Sequence, residues 1–147
     1  MASNRISFMN EIITSNKVYA LKVDNGYAMA LSNIYVDEDD NRIELFCFWS
    51  NRKLATDSIV GEWYNYQVVD IELSIFLEHW CIGISNENYA IGIDFKEDGV
   101  GNEFDSLELL IEICKSLIQQ KVDLQFEKFK SVNELLSYAE QALNYDN

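Results

Sequence analysis

The sequence predicts an α+β domain, a mostly antiparallel sheet packed with helices. Three observations carry that expectation. Strand-like and helix-like segments are mixed irregularly, the first two strands are joined by a tight turn, and the connections look short. A chain of 147 residues is the size of one domain, and a domain of that size buries roughly 68–70 % of its unfolded surface. With 48 % hydrophobic residues and 8 Phe, 8 Tyr and 3 Trp, the composition suits one folded domain over 1–147 rather than an acidic disordered chain.

Arg5 to Thr14 sets Phe8, Met9, Ile12 and Ile13 at helical spacing, with Ser3 or Asn4 as the N-cap, so the chain opens on a short helix. Lys17 to Val23 and Tyr27 to Leu31 flank Asp24-Asn25-Gly26, a turn that suits the positive φ of a tight hairpin. Ile34 to Val36 leads into the acidic turn Asp37 to Asn41. Ile43 to Trp49 is then apolar nearly throughout, as expected of a central strand covered on both faces. Ser50 or Asn51 caps a short helix through Thr56, and Tyr66 to Leu73 returns to strand composition. Ser74 opens a helix whose apolar set is Ile75, Phe76, Trp80 and Ile84.

Tyr89 to Phe95 alternates as a strand does, and Gly99 and Gly101 make the loop behind it flexible. Asp105 with Glu108 is an Asp variant of the capping box, opening a helix to about Gln120 with Leu107, Leu110, Ile111, Cys114 and Ile118 on one face. Lys121 to Lys130 reads as an extension of the domain or as a basic-tinged final strand. Ser131 and Glu134 start a terminal helix carrying Leu135, Leu136, Ala139 and Leu143.

Net charge is −14, from 11 basic and 25 acidic residues. Such a field repels phosphate and attracts cationic surfaces, which argues against direct nucleic-acid or anionic-membrane binding. Between Asp70 and Glu112 stand eleven carboxylates and the single cation Lys96. A solvated surface serving solubility explains part of that excess, and a face complementary to a cationic partner explains it equally well. Cys47, Cys81 and Cys114 are odd in number and set in apolar runs, so they read as reduced core thiols. No apolar run is long enough to span a membrane and the N-terminus lacks a cleavage pattern, which places the protein in the cytoplasm.

Catalysis finds little support. Paired carboxylates need one desolvated member to act as acid and base, and those here lie in polar runs. In the Asp37 to Asn41 turn, Arg42 and Phe48 occupy the glycine and glutamate positions of a calcium loop, which excludes an EF-hand. His79, the only histidine, has no nucleophile joined to it by any sequence feature and reads as structural or exposed. Gly92, Gly99 and Gly101 form no phosphate loop. No cofactor, resident metal or enzymatic activity is implied.

The segments Val18 to Leu31, Leu45 to Ala55 and Gly61 to Trp80 resemble a bacterial domain family of unknown function, numbered 2750. The resemblance rests on Tyr19 and Leu21, on Gly26-Tyr27-Ala28, on Trp49 and Ala55, on Glu62-Trp63, and on Ile71, Leu73, Phe76, Leu77 and Trp80. It covers about Met9 to Leu117 and leaves 121–147 as an extra helical tail. Ser50 stands where that pattern usually has proline, and the acidic insertion at Asp37 to Asn41 is longer. The resemblance implies no activity, and its Trp residues read as core packing.

By type, a small, strongly acidic domain without catalytic motifs is similar to the immunity proteins of contact-dependent growth inhibition. The expected function is therefore to bind a cognate basic toxin, a nuclease, and cover its active-site surface. The expected contact residues are the carboxylates Asp70, Glu72, Asp94, Glu97, Asp98 and Glu103, with Tyr64 and Tyr89 as aromatic anchors. A non-catalytic regulatory or scaffold domain is the alternative.

Overall fold

Ala28 is the point at which the chain passes from one sheet to another. Its N–H donates to the Leu21 carbonyl at 2.9 Å, and its own carbonyl accepts from the Cys47 N–H at 3.1 Å. The computed structural model describes residues 2–96 and 101–146. Glu97 and Asp98, two of the expected contact residues, and Gly99 lie outside the described residues.

The first sheet has the order β2-β1-β5, from Gly26–Tyr27, Lys17–Val23 and Gln67–Glu72. All its pairings are antiparallel. The second has the order β3-β4-β6-β7, from Met29–Val36, Arg42–Phe48, Ala90–Ile93 and Asn102–Phe104. Only the β4–β6 pair in it is parallel. A two-way bridge between Tyr19 and Trp49, with N–H···O distances of 2.9 and 2.8 Å, ties the sheets together. The result is the expected α+β domain.

The hairpin forms, with two corrections. Val23 pairs with Gly26, so the turn residues are Asp24 and Asn25, and the positive φ (40°) falls on Asp24. The returning strand also breaks at Ala28 into β2 and β3, because Ala28 serves both sheets. β4 lies between two neighbours and feeds both faces: Phe46 and Phe48 pack into one cluster, Leu45 and Cys47 into the other. Period-two alternation with apolar residues on both sides makes it the central strand predicted from its sequence.

The larger cluster is closed by α1 (Ala2–Ser15), α5 (Ser106–Gln120) and α6 (Val132–Asp146), and by a helix over 73–86. That helix comprises α3 (Leu73–Ile75), a π segment (Phe76–Cys81) and α4 (Ile82–Asn86). The smaller cluster lies under α2 (Arg52–Asp57) and a 3₁₀ turn at Gly61–Trp63. Cys47, Cys81 and Cys114 are buried and free.

Capping chemistry accounts for several helix starts. Asn51 accepts from the Leu54 N–H at 2.9 Å, Asp105 from Glu108 at 3.1 Å and Ser131 from Glu134 at 3.1 Å. Other starts differ from expectation. α1 already includes Ser3 and Asn4, and the 73–86 helix begins one residue before Ser74 with no side-chain cap. Ile118 and Ile75 are exposed, at 37 % and 40 %. On α5 the buried stripe includes Leu109, Ile113 and Leu117 instead.

Residues 121–130 form an irregular strap rather than a strand, with Val122, Leu124, Phe126 and Phe129 packed on the larger cluster. Gly101 has a packing role in place of the expected flexibility. A Cβ there would stand 2.8 Å from Phe95 Cα and inside contact distance of the buried Phe95 ring.

Candidate functional site

The π segment determines which side chains surround a cleft beside Trp80. Its i→i+5 bonding widens the turn, and the buried set becomes Phe76, Leu77, Glu78 and Cys81, leaving His79 exposed and Trp80 half-buried. Trp80 lies edge-on to three rings: Tyr27 at 4.7 Å, Phe48 at 5.4 Å and Phe46 at 6.0 Å between centroids. Phe46 in turn meets Tyr89 edge-on at 5.2 Å. Such perpendicular contacts set the positive edge of one ring against the negative face of the next and fix the indole in place.

A cleft of about 260 Å³ opens beside this framework, lined by Phe46, Trp80, Ile84 and Tyr89 with His79 and Glu87 among them. Glu87 is exposed, and its carboxylate makes no hydrogen bond or ion pair among the described residues. A second cleft lies against Trp80 as well, bounded by Asp70 and Glu72 of β5 and by Lys17, Lys22 and Tyr27. The indole therefore separates two clefts that both carry acidic side chains.

Next to His79 in sequence, Glu78 is buried, with its side chain 2 % exposed. Its two oxygens accept the backbone N–H groups of Glu127 at 3.0 Å and Lys128 at 2.7 Å. This clamps the strap to the helix and satisfies a carboxylate removed from water. His79 Nε2 lies 3.5 Å from Glu78 and 3.7 Å from Glu127. Ligand atoms of these three residues lie within 4.8 Å of one another.

The expected contact residues fall into separate groups. Asp70 is exposed and pairs with Lys17 at 2.6 Å, which holds its carboxyl below the ordinary 3.8. Glu72, two residues on along β5, is exposed; it stands opposite Lys17, whose pKa its charge helps to raise, and its carboxylate makes no hydrogen bond or ion pair among the described residues. Asp94 turns inward: Ser50 donates to it from its N–H at 2.8 Å and from its hydroxyl at 3.1 Å. Burial raises the Asp94 carboxyl above its usual 3.8, against the lowering effect of the Ser50 bonds. Glu103 accepts from the buried Ser32 hydroxyl and from the Asn33 N–H at 2.9 Å, joining β7 to β3 across the sheet. Tyr64 is 74 % exposed beside the 3₁₀ turn. Tyr89 is half-buried in the Trp80 cleft.

Trp80, Glu87 and Glu78 were not among the expected contacts. A signal for Trp80 and Glu87 was present: an aromatic directly after Glu78 and His79 within a helix, and an acid at that helix's end. Glu78 gave none, since its partners are backbone groups distant in sequence.

Among the described residues no helix is long and apolar enough to cross a membrane. No curated protein and no solved structure gives a significant match to the chain. Residues 6–113 match the model of a family described as "Protein of unknown function (DUF2750)", and the chain belongs to that family.

Proposed function

We propose that this chain is a non-catalytic binding module for a basic protein, acting as an immunity protein of the contact-dependent growth inhibition type in the bacterial cytoplasm. Its partner is a cognate toxin, a nuclease whose basic active-site surface it covers in place of phosphates. The observation that carries this reading is the pair of exposed carboxylates, Glu72 and Glu87, that make no hydrogen bond or ion pair among the described residues and line clefts on both sides of Trp80 in a chain of net charge −14. Aromatic anchors set among acidic groups suit a cationic surface, and long-range attraction speeds the encounter.

Co-expression with the product of the adjacent upstream gene tests it. Rescue of growth together with a stable purified complex is the expected result. A toxic upstream product that this chain neither binds nor neutralises removes the proposal.

A regulatory or scaffold role is the second reading, favoured by how many carboxylates between 70 and 112 are occupied within the fold. Asp70, Glu78, Asp94, Glu103, Asp105 and Glu112 each hold a hydrogen bond or ion pair of the protein's own. An upstream reading frame without a toxin domain supports this alternative.

A further inference from the structure

We propose that the cleft beside Trp80 is a receptor for an arginine side chain, its guanidinium stacking on the aromatic wall while Glu87 accepts its N–H groups. This deepens the basic-partner reading, on which it rests only for the source of the arginine. The cleft itself carries the chemical argument.

Three aromatic residues, Phe46, Trp80 and Tyr89, line it, and Glu87 is the only carboxylate or cationic Lys/Arg side chain among the lining residues. Among the described residues no lysine or arginine lines it to compete. The lysines beside Trp80 line the other cleft, where Lys17 is paired with Asp70 and Lys22 lies 5.6 Å from the centre of the Tyr27 ring. An aromatic wall with one unengaged carboxylate selects a cation, because the ring faces and the acid attract the same charge. A purely apolar occupant would cover Glu87 without supplying a donor, leaving a desolvated charge.

Arginine satisfies both features at once. Its planar guanidinium stacks on aromatic faces and presents a fork of donors to a carboxylate, whereas a lysine ammonium is a strongly hydrated point charge. The volume of about 260 Å³ lies below the ~300–1,000 Å³ of drug-sized sites, which suits a single side chain. The edge contacts of Trp80 with Tyr27, Phe46 and Phe48 hold the indole before anything binds, so little ordering remains to be done on association.

The test titrates the full chain with acetyl-Gly-Arg-Gly-amide, followed by NMR at the Trp80 indole N–H and the Gly83 amide. Matched peptides carry lysine or the neutral isostere citrulline. Saturable shifts at those two sites are expected, with citrulline binding about tenfold more weakly and lysine in between. Glu87→Gln, at an exposed position, is expected to weaken the arginine peptide several-fold while leaving the fold unchanged.

Equal binding of arginine and citrulline, no saturable shift at these sites, or indifference to Glu87→Gln overturns the assignment. The two proposals fail separately. Arginine-peptide binding without a protein partner leaves the cleft intact and removes the toxin. A partner held equally well by the native chain and by Glu87→Gln removes the cleft and leaves the partner.

Discussion

The buried carboxylate of Glu78 accepts the backbone N–H of Lys128 at 2.7 Å, joining positions 50 apart in sequence. Its other oxygen holds the neighbouring Glu127 N–H, so one side chain clamps the middle of the strap over 121–130. Glu78→Ala removes both acceptors and leaves two amides without them. The expected loss is about 3–6 kcal/mol, two hydrogen bonds to a charged group at ~1.5–3 kcal/mol each. Urea unfolding measures the loss, and hydrogen exchange should show the Glu127 and Lys128 amides opening first. Slow exchange retained at those amides in the variant contradicts the clamp.

Asp94 gives stability a pH dependence opposite to that of most carboxylates. Burial raises its folded value above the ordinary 3.8, so the folded chain holds this proton more tightly than the unfolded chain does. The group's stabilising contribution is full below about 3.8 and is lost as pH rises through the folded value. Asp94→Asn keeps an oxygen for the Ser50 N–H and suits the positive φ of 52° at this position. Its stability relative to the native chain should therefore improve between pH 4 and pH 7. A constant difference in urea titrations at the two pH values would refute this.

The thiols should be inert in the folded protein. Burial pushes Cys47 and Cys114 up to about 12 and raises Cys81 well above 9.0. Reaction with a disulfide-exchange reagent is expected only at the rate of unfolding, because the thiolate is the reactive species. One thiol labelled rapidly in native buffer would contradict the packing described for these residues.

Lys121 ends α5 in the left-handed conformation, φ 60° and ψ 37°. Glycine adopts that conformation without the penalty of a Cβ. Lys121→Gly should then stabilise the domain by roughly 0.5–1 kcal/mol, read as a rise in the urea midpoint at constant slope. A fall in the midpoint would show that the lysine side chain contributes more than the cap.

Local signals made much of the fold legible. β4 could be read from continuous apolar composition and α6 from Ser131 followed by Glu134, because each depends on neighbours in sequence. The break at Ala28 could not be, since it exists only where two sheets meet. The π segment escaped for a related reason: α-periodicity puts Ile75 inward, but packing of Phe76, Leu77 and Cys81 against the core leaves Ile75 exposed.

The charge pattern was the hardest part to read. Asp94, Glu103 and Glu78 look like solvated acids in sequence, yet their partners are Ser50, Asn33 and Lys128, 44, 70 and 50 positions away. Among the described residues, what remains exposed without a hydrogen bond or ion pair is narrower than the acidic run: Glu72 and Glu87 beside Trp80, and Glu108 on α5.

Affinity for the toxin encoded upstream, measured against salt for the native chain and for Glu72→Lys combined with Glu87→Lys, tests the central claim most directly. The account predicts tight binding that weakens steeply with salt in the native chain. In the double variant it predicts a loss of at least about 100-fold and a shallower salt slope, two buried or rim charge contacts being reversed. Equal affinity and equal salt slope for the two proteins would contradict it.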